Sequence, residues 1–184
     1  LSAAVILPLA IAAIWFGGWA FAAMVLIIAG AMGWELSRLC QAAPGLTIVV
    51  IIIFLLTSGL AITGLFESAA AFGALGTLLA ALLSRFSRSE APIILTAGTA
   101  YILVTLLSIV WLRFSVPDGL WLFFWMMAVV VATDVGAYFA GRAIGGPKLA
   151  PRISPAKTWS GLIGGAFIGR IGGAFIEYHS DVAA

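Results

Sequence analysis

Charge is scarce in this sequence. Only 9% of the 184 residues are Asp, Glu, Lys or Arg, where a soluble domain carries roughly 25%, and that deficit excludes a fold with water on all sides. Tracts such as Leu46 to Ile62 and Trp121 to Ala132 hold no charge at all. Cys40 is the single cysteine, which excludes an intrachain disulfide and any CxxC or zinc pattern. His179 is the single histidine and reads as a surface residue rather than a ligand. The opening run LSAAVILPLAIAAIWFGGWA lacks the basic leader of a secretory signal. Beginning with Leu inside an apolar run, it reads as the first membrane helix of a longer chain.

What is present is apolar. Hydrophobic residues make up 64% of the sequence and mean hydropathy is +1.21, the composition of an integral membrane protein. Charges, prolines and glycine pairs divide it into seven segments, near Ser2 to Phe16, Trp19 to Leu36, Leu46 to Thr63, Ser68 to Leu83, Pro92 to Leu112, Gly119 to Ala140 and Gly161 to Ile176. Backbone groups left bare in lipid are costly, so helix is expected throughout. The expected fold is all-α: a polytopic helix bundle of about seven transmembrane helices, with residues 1–184 forming one transmembrane domain. Several segments are shorter than the roughly 20 residues of a perpendicular span, which predicts tilted pairs hinged at Gly17-Gly18 or near Gly64.

The cations set the expected orientation. The loops after the second, fourth and sixth segments carry Arg38, then Arg85 and Arg88, then Arg142, Lys148, Arg152 and Lys157, whereas the alternate loops carry only Arg113. The positive-inside rule places the first set in the cytoplasm. Trp15, Trp19, Trp34, Trp111, Trp121 and Trp159 fall near segment ends, where indole rings favour the interface.

Two features carry chemistry. Asp134 interrupts the sixth segment, WLFFWMMAVVVATDVGAYFAGR. A carboxylate at the bilayer centre costs about 2.5 to 3.5 kcal/mol, so an intramembrane acid marks a candidate site. Tyr138, with Ala137 and Gly141, shares its helix face. The plainer alternative is an acid paired with Arg142 to anchor the helix end. Beyond it, KLAPRISPAKTW crowds Lys148, Arg152 and Lys157 into a segment with too much Pro and Gly for a long helix. Such cations suit phosphate groups, Ser154 and Thr158 add hydroxyls, and Ser154-Pro155-Ala156-Lys157 can be read as a helix start. The alternative is a basic loop on anionic headgroups, worth about 1 kcal/mol per cation.

Asp134-Val-Gly-Ala-Tyr138, Gly141-Arg142, Lys148-Leu-Ala-Pro-Arg-Ile-Ser-Pro155 and Lys157-Thr-Trp159 resemble the central motif of the phosphatidate cytidylyltransferase family, the CDP-diacylglycerol synthases. The first helices, with LPLAIAAIWFGGWAF and Trp34-Glu35, are also similar to the family's. The resemblance implies a bacterial inner-membrane nucleotidyltransferase of phospholipid biosynthesis. It would join CTP to phosphatidate with Mg2+ as cofactor, yield CDP-diacylglycerol and pyrophosphate, and need no nucleic-acid partner. It implies catalytic roles for Asp134 and Lys157, with Asp134 on the metal. Tyr138, Arg142, Lys148, Arg152, Ser154 and Thr158 would bind substrate, within a cytoplasmic phosphate-binding loop at residues 141–160.

The sequence also departs from the family. Ser160 stands where members usually have Glu, and nothing after Gly161 resembles the downstream Lys-Asp, His-Gly-Gly and paired-aspartate signature. A fragment is therefore expected, one that binds substrate weakly and turns over slowly or not at all. The alternatives are a non-catalytic membrane remnant and a related CTP-dependent lipid or polyprenol kinase. Near the end, IGGAFI recurs at 163–168 and 171–176, either as a local duplication or as a built feature. Gly161, Gly165, Gly169 and Gly173 form a four-residue ladder there, a candidate helix-packing or homodimer face.

Overall fold

A computed structural model describes residues 2–86, 91–151 and 154–182, with side-chain surroundings described for 6–86, 91–151 and 154–171. Seven helices result: α1 (Ser2–Phe16), α2 (Gly18–Leu39), α3 (Pro44–Ile62), α4 (Phe66–Phe86), α5 (Pro92–Phe114), α6 (Gly119–Ile144) and α7 (Trp159–Val182). Between the last two lies a hairpin of β1 (Lys148–Ala150) and β2 (Ser154–Thr158). Among the described residues α2 to α6 are long and apolar enough to cross a bilayer, which makes this an integral membrane protein. The expected seven spans are thus five by length and apolarity. At 15 residues α1 is about 22 Å long, short of the roughly 30 Å hydrocarbon core.

The chain divides into two compact units, Leu1–Leu120 and Trp121–Ala184. In the first, α3 packs against α2, α4 and α5. Its approaches are close because lipid offers no hydrophobic drive between helices, so packing depends on how near two backbones come. The buried stripe of α4 is accordingly small: Ala69, Gly73, Gly76, Ala80 and Ser84. A Cβ on Gly76 would meet Ile53 Cγ2 at 2.6 Å, and one on Gly33 of α2 would meet the Ile51 backbone at 3.2 Å. Phe21, Val25, Val50, Phe54, Leu95 and Val110 fill the core between these ridges.

The sequence breaks fall where glycine permits them. Gly17 and Gly18 have φ of 64° and 49° between α1 and α2, and Gly64 has φ of 85° after α3. At the first break Arg113 Nε donates to the Ile14 carbonyl at 3.1 Å, a cation on the orphan carbonyls at the C-terminal end of α1. A side chain on Gly17 would occupy the guanidinium's place.

Candidate functional site

The second unit carries the candidate residues. Helix α6 has two working faces. On one, Thr133, Gly136, Ala137, Ala140 and Gly141 meet α7: a Cβ on Gly165 would lie 3.1 Å from both Ala137 Cβ and the Thr133 carbonyl, one on Gly161 2.8 Å from the Ala137 carbonyl, and one on Gly169 3.2 Å from Thr133 Oγ1. The glycine ladder is therefore used within the chain. Its Gly161, Gly165 and Gly169 steps are filled by α6, the helix-packing alternative of the two readings, while the surroundings of Gly173 lie outside the described side chains. The physical reason is local: two glycine-poor faces could not approach this closely, and α6 supplies the complementary Ala and Gly residues.

On the other face Asp134, Tyr138 and Arg142 follow at four-residue spacing, all exposed. Arg142 Nη1 donates to Tyr138 Oη at 3.0 Å, and the Tyr138 ring stands edge-on to Phe139. Arg142 thus holds the phenol, and among the described residues no ion pair joins it to Asp134, which lies about 12 Å away along the helix axis. The helix-anchor pairing of Asp134 with Arg142 is not formed, and the carboxylate remains open to a ligand.

Helix α6 stops at Gly145 and Gly146, with φ of 66° and 104°, the left-handed termination glycine allows. Pro147 leads into the hairpin. Lys148 pairs with Thr158 and Ala150 with Ser154, so Pro155, Ala156 and Lys157 together stand opposite Leu149 in a bulge, all three exposed. A bulge re-aims side chains, and Pro155, which has no N–H for the ladder, belongs in one. Lys157 is presented outward by this device, and Lys148 is exposed on the facing strand. Ser154 is half-buried. Arg152 lies outside the described residues.

Helix α7 begins at Trp159, not at Ser154. Pro155 disfavours helical geometry in the residue before it, which keeps Ser154 extended. The cap is Thr158, whose Oγ1 accepts from the Gly161 amide at 3.2 Å. Thr158 Oγ1 and Ser160 Oγ are 3.0 Å apart, and Ser160 donates to the Gly145 carbonyl at 2.5 Å. Ser160 spends its one proton on that carbonyl, so Thr158 donates to Ser160. The Thr158 hydroxyl is buried and fully committed to this chain, and in this conformation it caps a helix rather than facing a phosphate. Ser160, noted from sequence only as a departure, closes the hairpin's base. A serine two residues after a threonine at a helix start was the available signal.

Among the described residues no three His, Cys, Asp or Glu side chains gather as a metal site. Magnesium is commonly bound through one or two carboxylates together with substrate phosphates, and the open Asp134 carboxylate fits the smaller of those contributions.

The whole described chain matches a family model: the cytidylyltransferase family, over residues 1–183. The chain belongs to this family. It is 51% identical over 80 residues to the phosphatidate cytidylyltransferase of Brucella suis, covering 44% of this chain and 30% of that protein. It is 55% identical over 47 residues to the Haemophilus influenzae protein of the same name, covering 26% and 16%. A third, from Pseudomonas aeruginosa, is 55% identical over 40 residues, covering 22% and 15%. These matches thus span less than a third of the relatives' own lengths. No solved structure matches the chain. A carboxylate followed by two exposed lysines is an arrangement suited to phosphate groups and other anions.

Proposed function

We propose that this chain serves phosphatidate cytidylyltransfer, joining CTP and phosphatidate into CDP-diacylglycerol with release of pyrophosphate, in a bacterial inner membrane. The observation that carries the reading is the bulged hairpin, which holds Lys148 and Lys157 outward beside the last turns of α6, in a member of the cytidylyltransferase family. The reaction brings a lipid phosphate to the α-phosphorus of CTP. Its demand on the protein is to position anions and offset their charge. Lys148, Lys157 and, by its place in the motif, Arg152 would bind phosphates, with Ser154 beside them. Arg142 would orient Tyr138 at the edge of the site. Mg2+ held by Asp134 and substrate phosphates would neutralise charge on the leaving pyrophosphate. The cation bias supports a cytoplasmic position for residues 141–160, the side from which CTP arrives.

The test uses the purified chain in lipid with Mg2+, phosphatidate and CTP labelled at the α- or the γ-phosphorus. CTP binding should require Mg2+, fall at least about tenfold in Asp134→Asn and about tenfold in Lys157→Gln, the loss of a charge-assisted contact worth roughly 1.5 to 3 kcal/mol. Any lipid product should carry the α label. Lipid labelled from the γ-phosphorus would identify a kinase instead, and Mg2+-dependent binding unchanged in Asp134→Asn would remove Asp134 from the site.

A further inference from the structure

The first unit holds a cavity of about 460 Å³ lined by Trp34, Arg38, Ala42, Pro44, Thr47 and Ile51, with Ile48 on its wall. Its two ends differ in chemistry. At one, Arg38 in the last turn of α2 places its guanidinium over the Trp34 ring, 5.6 Å from the centroid. Among the described residues no carboxylate pairs with Arg38. The first turn of α3 borders the same end, and its cap residue Ala43 offers no side-chain acceptor to the helix amides. Thr47 does not supply one either, since its hydroxyl turns back to the Ala43 carbonyl at 3.2 Å. A cation and the positive end of a helix dipole thus adjoin on a cavity whose lining holds no carboxylate, Glu35 one turn before Arg38 on α2 not being among its lining residues. The other end is apolar: Ile48 and Ile51 lie one turn apart on α3, and Ile48 is 58% exposed.

Both helices cross the membrane, and the cavity sits at the ends where they are joined. A Trp at such an end belongs at headgroup depth. A free anion would satisfy Arg38 and leave Ile48 and Ile51 uncovered, whereas an apolar ligand would leave the guanidinium unpaired. An anionic phospholipid satisfies both ends at once. We propose that this cavity is a binding site for an anionic phospholipid, its phosphate held by Arg38 and the first turn of α3 and its acyl chain laid along Ile48 and Ile51. The cation–π contact with Trp34 holds the guanidinium at the mouth in readiness.

The site is tested by Trp34 fluorescence in the full chain reconstituted with phosphatidylglycerol or phosphatidylcholine, each brominated in the upper acyl chain, with Trp34→Phe subtracted to isolate the Trp34 signal. Competition between the two lipids should favour phosphatidylglycerol about fivefold, the equivalent of about 1 kcal/mol for one cation at an anionic surface. Arg38→Gln should abolish the preference and Arg38→Lys should keep most of it, with circular dichroism reporting that each variant stays helical. Equal quenching by the two lipids in the parent protein means a generic acyl groove and overturns the proposal. A preference that survives in Arg38→Gln, or a Trp34 signal that neither lipid quenches, overturns it as well.

Discussion

Thr158 Oγ1 and Ser160 Oγ stand 3.0 Å apart, and the hydrogen between them belongs to Thr158, because Ser160 has given its own to the Gly145 carbonyl. An amide that can only donate, Gly161 N–H, begins the chain of bonds, and a carbonyl that can only accept ends it. The two helices α6 and α7 and the hairpin between them meet at this point.

Ser160→Ala should therefore loosen the hairpin. It leaves the Gly145 carbonyl and the Thr158 hydroxyl short of partners, at a cost of about 1 to 3 kcal/mol. Amide exchange at Gly146 to Lys157 should quicken by a factor of about ten, while α2 to α5 stay protected. Thr158→Val should do more, since a helix cap worth about 1 kcal/mol goes too, and Thr158→Ser should be nearly neutral. Unchanged exchange in Ser160→Ala would show that the bond to Gly145 carries no weight.

The packing of α7 on α6 makes a cross-linking prediction. A Cβ at position 165 lies 3.1 Å from Ala137 Cβ, within small adjustment of the roughly 3.5 to 4.5 Å of a disulfide. The pair Ala137→Cys with Gly165→Cys, with Cys40 replaced by Ser, should oxidise within one chain and migrate as a monomer under non-reducing conditions. A ladder of dimers would mean that the glycine face meets a second copy after all.

Arg113 is predicted to be structural. Replacing it with Met removes the bond to Ile14 and a cation from the end of α1, a loss of about 1 to 3 kcal/mol read as a lower midpoint in denaturant-driven unfolding in detergent micelles. Gly17→Ala should be at least comparable. Its φ of 64° and ψ of −145° lie in a region nearly reserved to glycine, where another residue costs of order 1 to 3 kcal/mol, and the new methyl would displace the Arg113 guanidinium. A Gly17→Ala protein as stable as its parent would contradict this account of the junction.

Thiol labelling reads orientation and burial together. Cys40 is buried, and desolvation pushes its thiol above the usual pKa, so thiolate forms only at higher pH than for an exposed cysteine. The parent protein should react slowly with maleimide at neutral pH, faster as pH rises, and fully once denatured. With Cys40 replaced, Ala143→Cys and Ala156→Cys should label with an impermeant reagent only in opened or inverted vesicles. Labelling from outside intact cells reverses the orientation expected from the cations.

The helices were legible because lipid imposes one answer on apolar segments. The segment read as Ser2 to Phe16 coincides with α1, and the others differ from their helices by up to four residues at the ends, except that α7 runs six residues past its segment. The site was legible as composition and only partly as geometry. Tyr138 does share the face of Asp134, whereas Ala137 and Gly141, expected there too, turn toward α7, and the bond from Arg142 to Tyr138 rather than to Asp134 depends on side-chain reach that spacing alone leaves open. The hairpin was missed as strand. Three prolines argue against a helix equally for a turn and for a bulged ribbon, and the decision rests on pairing between residues ten apart, Lys148 and Thr158. Nor does a sequence pattern announce that the glycine ladder meets α6: small residues mark a close approach without naming the partner.

The contact of Arg113 with Ile14 bridges 99 residues. Synthesis at about 5 to 20 residues per second puts an interval of roughly 5 to 20 s between the emergence of the two. During that time the last carbonyls of α1 have no guanidinium to meet, and α2, α3 and α4 are made in between. Helix α1 is thus made before α2 to α5 but secured only after them, and its docking is set by the arrival of the end of α5.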